Sequence, residues 1–172
     1  VLYYLVSRYG LKYKRMVVSK LSVINAMENL PVCTQEAAFI LCVSPECADM
    51  VAMQVPEGTK IRVFQNCVEA EYFEGSSEYA GYKRALDKIA IISNHIPQEL
   101  LELKEKMGGY YQVDLIGLGY RTEQVNAEFL QQYDLVITIG RTVPRCLAMG
   151  VPVYVYDYLG GPGYLTEANF SL

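Results

Sequence analysis

The sequence predicts an α/β fold, a Rossmann-like parallel sheet with helices on both faces, and three observations support this. From residue 86 onward, short apolar segments and amphipathic segments alternate in the order β-α-β-α-β-α-β. Residues 135–139 form an apolar run of the length typical of a buried parallel strand. Glycine follows two of the apolar segments, at Gly117 and Gly140, where a strand would turn.

The composition is that of a globular protein and excludes several classes. The chain has 172 residues, of which 52% are hydrophobic and 20% charged, so it has enough apolar residues for a core. Its net charge of −4 argues against general nucleic-acid binding. Five widely spaced cysteines, several inside apolar runs, predict free thiols in a reducing compartment, and the single histidine argues against structural zinc.

The first part of the chain contains weaker patterns. Lys12, Lys14 and Arg15 form a basic segment, interpreted either as a solvated edge or as contact with an anionic membrane surface. Residues 17–29 are ambiguous, and Ser19 could cap a helix there. Residues 37–43 and 60–64 read as strands, and between them Ser44 is the predicted cap of a helix that reaches about residue 54.

The elements of the second part follow the alternation. Strands are predicted at residues 86–93, 113–116, 135–139 and 153–156. Pro97 opens one helix, Thr122 caps a second, and Thr142 caps a third that contains Pro144 in its first turn and ends at Gly150. Residues 160–163, with the sequence GGPG, are expected to form a loop close to a ligand or to another loop.

The predicted strand ends indicate where a ligand would bind. Parallel sheets bind ligands beyond the carboxyl ends of their strands, which here are residues 93–95, 117–119 and 140–142. A helix that begins at Thr142 would leave the backbone N–H groups of Thr142 and Val143 free, with a dipole that favours an anion. Because Arg141 and Arg145 add positive charge there, we predict a phosphate or diphosphate site.

Several of these residues allow two interpretations. Residues 117–119 (GLG) are either a tight strand-to-helix turn or a close approach to a ligand. His95 either binds phosphate or moves a proton, or it stabilises its turn. Arg145 either contacts the anion or pairs with a carboxylate of the chain. Asp157 either accepts a ligand hydroxyl or caps a turn.

Two pairs of sequence blocks resemble the glycogen-synthase-like glycosyltransferases of GT-B fold, also called group 1. One pair is YDLVI at residues 133–137 and AMGVPV at residues 148–153, separated by a glycine turn. The other is VSPE at residues 43–46 and IRVFQNCVEAEYF at residues 61–73. The blocks occur in the family's order, and the resemblance covers roughly residues 37–166.

The resemblance implies a domain organisation. Residues 1–75 would be a remnant of the N-terminal, acceptor-side domain, residues 76–86 a linker, and residues 87–172 the C-terminal Rossmann-like domain that binds the nucleotide sugar. The chain begins with Val1 and has little sequence after residues 160–163. We therefore expect a piece of a longer protein, with most of the first domain missing.

The resemblance also implies a donor-binding site. The helix start would take the donor diphosphate, and residues 117–119 would lie near the nucleoside. The residues assigned to the donor in this way are Asn94, His95, Gly117, Gly119, Gly140, Arg141, Thr142, Val143 and Arg145. Asn94 and His95 stand where the family usually has a lysine-arginine pair that grips the diphosphate.

Four further positions depart from the family pattern. The glutamate that commonly holds the ribose hydroxyls falls at Arg145, and its partner glutamate falls at Ile137. In the run that reads NGVD in the family, the glycine is Cys67 and the aspartate is Glu69. The two-glutamate signature is therefore absent.

The activity implied is transfer of a sugar from a UDP- or GDP-sugar to the hydroxyl of a saccharide or lipid-linked acceptor, in cell-surface polysaccharide or glycoconjugate synthesis. Such an enzyme needs no metal or other cofactor and would be cytoplasmic or at the inner face of the membrane. One alternative is a UDP-sugar epimerase of the same fold, against which the single histidine counts. The other is a non-catalytic partner subunit, which the missing glutamates favour.

Overall fold

The structure is a computed structural model that describes residues 2–23, 29–74, 85–158 and 160–170. It contains two compact units, residues 1–66 and residues 67–172. The first unit contains a sheet of three strands and the second a sheet of five, and the sheets are parallel except for the last strand of the second. The predicted α/β class is confirmed, since helices alternate with the strands of a mostly parallel sheet.

The first unit is a small parallel sheet with one helix packed on it. Its elements are α1 (Leu2–Tyr9), β1 (Val17–Lys20), a 3-10 helix (Val32–Glu36), β2 (Phe39–Cys42), α2 (Pro45–Ala52) and β3 (Ile61–Val63). The strands lie in the order β1-β2-β3. The buried core joins this sheet to α2 through Val18, Ile40, Cys42, Cys47 and Val51.

Helix α2 begins as the sequence predicts. The Ser44 hydroxyl accepts a hydrogen bond from the backbone N–H of Cys47 at 3.2 Å, and Pro45 occupies the first helical position. A serine cap satisfies one of the N–H groups that a helix start leaves without a partner. The two strands predicted on either side of α2 are confirmed with slightly shorter bounds.

Ser19 does not cap a helix, which was one interpretation of the ambiguous residues 17–29. Ser19 lies inside β1, opposite Leu41 of β2. Val18 and Lys20 of this strand are buried, whereas Val17 and Ser19 are exposed, which is the alternation of a strand. Pairing with β2 therefore outweighs the local tendency of serine to cap a helix. Part of the predicted helix, residues 24–28, lies outside the described residues.

The second unit carries the long β-α alternation. Its elements are α3 (Glu71–Glu74), β4 (Lys88–Ile92), α4 (Gln98–Met107), β5 (Gln112–Ile116), α5 (Ala127–Leu130), β6 (Leu135–Thr138), α6 (Thr142–Met149), β7 (Val153–Asp157) and β8 (Gly160–Tyr164). The strand order is β5-β4-β6-β7-β8. Strands β5, β4, β6 and β7 are parallel, and β8 is antiparallel to β7.

Apolar residues cover both faces of this sheet. On one face Ile89, Ile91 and Ile137 pack with Leu100 of α4. On the other face lies the larger core, which includes Ala90, Ile92, Val136, Leu130 of α5 and Cys146 and Met149 of α6. Successive residues of β4 point to opposite faces and both faces are buried, as in sheets with helices on each side. The predicted helices on both faces are confirmed.

Two predicted elements of this unit differ from the structure. Helix α5 does not start at Thr122: its cap is Asn126, whose side-chain oxygen accepts from the N–H of Phe129 at 2.9 Å. The predicted glycine-rich loop at residues 160–163 is part of β8, which forms a hairpin with β7. A Cβ on Gly161 would lie 2.1 Å from the carbonyl oxygen of Val155, so glycine lets the two strands approach.

The two units divide earlier than the predicted domains. The predicted linker, residues 76–86, lies mostly outside the described residues, which exclude residues 75–84. The division instead follows Asn66, so residues 67–74 belong to the second unit. The physical reason is Tyr72 of α3, which is 2% exposed in the larger core and donates its hydroxyl to the carbonyl of Val125 at 3.0 Å.

The cysteines lead to a prediction about thiol reactivity. All five are free: Cys67 is exposed, whereas Cys33, Cys42, Cys47 and Cys146 are buried, and burial raises the pKa of Cys146 to about 12. Because the thiolate is the reactive form, we expect a thiol reagent such as Ellman's reagent to modify Cys67 alone in the native protein. A Cys67→Ser variant should show no fast phase of modification by this reagent. Rapid modification of a second thiol under native conditions would contradict this prediction.

Candidate functional site

The carboxyl edge of the second sheet contains the point where the chain reverses direction across the sheet. The chain runs from β4 to β5 on one side, then crosses to β6 on the other side of β4. In open parallel sheets ligands bind in the crevice at such a point. Here the crevice lies between the segment after Ile92, at the end of β4, and the segment after Thr138, at the end of β6. Gly140, with φ +65°, forms the turn on the β6 side.

The turn after β5 lies directly against the segment after β4. Gly117 has φ +139°, and a Cβ there would lie 2.0 Å from the carbonyl oxygen of Ser93. Its N–H donates to the backbone carbonyl of Arg121 at 3.0 Å, and its carbonyl accepts from the backbone N–H of Tyr120 at 3.1 Å. The turn is therefore tight, but no helix follows it directly. Gly119, with φ +84°, has open space where a side chain would be.

His95 belongs to a polar turn on the same edge. Both Asn94 and His95 are exposed. The backbone N–H of His95 donates to the Ser93 hydroxyl at 3.1 Å, and its ring lies edge-on to Tyr158 with centroids 6.4 Å apart. The segments after β4 and β7 thus meet at the His95 ring. Asp157, just before Tyr158, is buried at 3% exposure, opposite Gly160 in the hairpin.

The start of helix α6 differs in two respects from the prediction. Thr142 is the first helical residue and not the cap: the cap position is Arg141, in helical conformation and with no side-chain capping bond. The N–H of Val143 donates to the carbonyl of Gly140 at 3.2 Å, so the prediction that this N–H is free is wrong. Two other parts of the prediction are confirmed: Pro144 lies in the first turn of α6, and Gly150 ends the helix with φ +74°.

The two arginines of α6 converge on one carboxylate, that of Glu69. Arg145 binds it through two nitrogens, with Nε 3.1 Å from Oε2 and Nη2 2.5 Å from Oε1. Arg141 contributes one contact, from Nη2 to Oε1 at 3.0 Å. The guanidinium of Arg145 also lies over the ring of Tyr72, 4.9 Å from its centroid. These four residues, Glu69, Tyr72, Arg141 and Arg145, are called the arginine cluster below.

The electrostatics of the arginine cluster follow from these contacts. The hydrogen bond from Arg145, together with a backbone hydrogen bond and the charges of both arginines, lowers the pKa of Glu69 to about 2. The same bond to Glu69 raises the pKa of Arg145. Burial raises the pKa of the Tyr72 hydroxyl. Glu69 is therefore ionised at neutral pH, where it pairs with two guanidinium groups.

This pairing makes a prediction for acid solution. Because the pKa of Glu69 falls from an ordinary 4.5 to about 2 in the folded chain, its stabilisation is complete above about pH 4.5 and is lost as the pH falls through about 2. The difference in unfolding free energy between the wild type and Glu69→Gln should shrink across this window in urea titrations. Glu74→Gln, an exposed acid of the same segment, serves as the control. A difference that stays constant with pH would contradict the pairing.

Sequence reasoning missed both Glu69 and Tyr72 as members of this cluster. In the sequence Glu69 is distinguished only by its place at the aspartate position of the resembled run, and the sequence does not identify the partner of Arg145. A usable signal existed, because two arginines at a helix N-terminus oppose the helix dipole and require an anion. That anion, in this structure, is a carboxylate 72 and 76 residues away in sequence.

Tyr133 and Asp134, the first two residues of the block YDLVI, make hydrogen bonds to neighbouring strands of the second sheet. The carboxylate of Asp134 accepts from the backbone N–H groups of Asp87 at 3.1 Å and Lys88 at 2.8 Å, which joins the amino ends of β6 and β4. Tyr133 is buried and donates its hydroxyl to Asp114 at 2.9 Å. Burial and this hydrogen bond raise the pKa of Tyr133 to about 12. Tyr133 and Asp134 therefore stabilise the sheet whose carboxyl edge forms the candidate site.

Within the described residues, no group of three or more His, Cys, Asp or Glu side chains could hold a metal ion. Among the same residues, no helix has the length and apolar character needed to cross a membrane. Comparison of the chain with models of known protein families, with curated proteins and with solved structures finds no match.

Proposed function

We propose that the second unit binds the diphosphate of a UDP- or GDP-sugar and that the chain is part of a GT-B glycosyltransferase. The observation that carries this proposal is the crevice between β4 and β6, where the chain order reverses and Arg141 stands at the start of α6. The resemblance of residues 133–153 to the donor-domain block of that family supports it. The acceptor would be the hydroxyl of a saccharide or of a lipid-linked sugar.

The residues at this edge suit a phosphoryl ligand. Gly140 has no side chain and no neighbouring atom within 4 Å of the position where a Cβ would lie, so a ligand can approach the backbone closely there. Arg141 is exposed, and apart from its bond to Glu69 its guanidinium makes no hydrogen bond to any residue the structure describes. A guanidinium at a helix start stabilises the negative charge that develops on a leaving diphosphate as the glycosidic bond breaks.

A second candidate is a non-catalytic GT-B-like partner subunit. The specific observation in its favour is that Arg145, at the position of the family's ribose-binding glutamate, binds Glu69 of the same chain through two nitrogens. Such a protein would keep the sheet and its glycine turns and would bind a nucleotide weakly or not at all.

Thermal shift measurements with UDP, GDP and their sugars separate these candidates. We expect UDP or GDP to raise the melting temperature of the wild type, because a ligand that binds only the folded state stabilises it. Arg141→Gln should abolish the shift. Arg8→Gln, an exposed arginine of the first unit, removes the same charge and should retain it.

The outcomes are distinct. A shift that depends on Arg141 supports the donor site of a glycosyltransferase, and release of UDP or GDP from the nucleotide sugar when an acceptor saccharide is added would support the transfer activity as well. A weak shift, or none, supports the partner subunit. No shift with any nucleotide, in a protein that unfolds cooperatively, would overturn the donor-site proposal.

A further inference from the structure

The arginine cluster already contains an anion that resembles a ligand. A carboxylate and a phosphoryl group both accept paired hydrogen bonds from a guanidinium in the same planar geometry. Glu69 takes three such bonds, two from Arg145 and one from Arg141. Any phosphoryl ligand of Arg141 therefore competes with a carboxylate of the same chain.

The two arginines hold Glu69 unequally. The side chain of Arg145 is only 20% exposed, binds through two nitrogens and lies over the ring of Tyr72, which is itself buried. The side chain of Arg141 is 61% exposed and contributes a single contact. Exposed single contacts between charges contribute little, whereas paired contacts of partly buried groups resist separation. The contact to Arg141 is thus the one that a ligand can displace.

We propose that Glu69 determines the specificity of this site: it keeps Arg145 in place and competes for Arg141, so that a diphosphate binds in preference to a single phosphate or a carboxylate. This inference rests on the proposed function and names the class of ligand that the same site selects. The charges of the cluster, two cations and one carboxylate, sum to +1. A singly charged anion gains little against the carboxylate already present, whereas a diphosphate has several charged oxygens and can displace Glu69 from Arg141.

The experiment measures the affinity of the full chain for inorganic pyrophosphate, orthophosphate and acetate by titration calorimetry. For Glu69→Gln we expect pyrophosphate to bind roughly tenfold more tightly and orthophosphate to become detectable, because the competing charge is gone. Glu74→Gln changes the net charge equally and should bind as the wild type does. The double variant Glu69→Gln with Arg141→Gln should lose the gain, because the gain requires Arg141.

A second variant guards against loss of structure. Glu69→Asp keeps the charge but shortens the side chain by one methylene, so its affinity for pyrophosphate should lie between those of the wild type and Glu69→Gln. Circular dichroism checks that each variant is folded. If Glu69→Gln lowers the affinity for pyrophosphate or leaves it unchanged while the chain stays folded, Glu69 does not compete and the inference is wrong.

Failure of this inference can be told from failure of the proposed function. If the wild type binds UDP through Arg141 but Glu69→Gln does not change the affinity, the donor site stands and the role of Glu69 is wrong. If no nucleotide binds, yet Glu69→Gln gains pyrophosphate affinity through Arg141, the role of Glu69 stands and the nucleotide-sugar proposal is wrong.

Discussion

Gly117→Ala is expected to destabilise the second unit by about 2–3 kcal/mol, since the new methyl group has no space and the backbone is strained. The added Cβ would lie 2.0 Å from the carbonyl oxygen of Ser93, and its φ of +139° is one that L side chains rarely adopt. The segment after β4 must therefore shift. Urea unfolding followed by circular dichroism measures the loss, and hydrogen exchange of residues 93–95 reports the shift.

Gly119→Ala is the matched control for this substitution. Gly119 lies two residues further on, also has positive φ (+84°), and has no neighbouring atom within 4 Å of the added Cβ. We expect it to cost only about 1 kcal/mol, the penalty of a left-handed conformation. Equal losses at the two positions would show that the close approach of Gly117 to Ser93 is not what constrains this turn.

Tyr72→Ala is expected to have the larger effect, a loss of about 3–5 kcal/mol from the free energy of unfolding of the second unit. The Tyr72 side chain is 2% exposed in the core, its hydroxyl donates to Val125, and its ring supports the guanidinium of Arg145. Removing it opens a cavity and releases residues 67–74 from the unit. Urea unfolding measures the loss of free energy, and faster hydrogen exchange in residues 67–74 would show that this segment has left the core.

Two variants control this prediction. Phe73→Ala removes the neighbouring aromatic side chain, which is 56% exposed, and should cost less than about 1 kcal/mol. Tyr72→Phe keeps the ring and loses one hydrogen bond, at a cost of about 1 kcal/mol. If Tyr72→Ala proves no more destabilising than Phe73→Ala, residues 67–74 do not belong to the core of the second unit.

Six of the eight described strands and several helix ends could be predicted because their causes are local. Ser44 and Pro45 start α2, and Gly150 ends α6, through bonds that reach only three or four residues along the chain. The apolar runs of β4 and β6 are buried on both faces, so their composition alone identifies them.

The missed elements depend on partners far away in sequence. Ser19 became part of a strand because β2 lies beside it, and residues 160–163 became β8 because β7 does. The start of α5 moved from Thr122 to Asn126, where the core takes up Phe129 and Leu130. Local propensity was overridden in each case by pairing or burial that no short window of sequence contains.

The features of the candidate site also fall into those that depend on local sequence and those that depend on distant partners. The sequence by itself determined the β-α alternation, the glycine turns at the strand ends and the presence of two arginines at one helix start, since all of these depend on neighbouring residues. Only the tertiary structure decided what those arginines bind. Glu69 reaches them because Tyr72 anchors residues 67–74 in the core, and a contact across more than 70 residues follows from packing and not from local sequence.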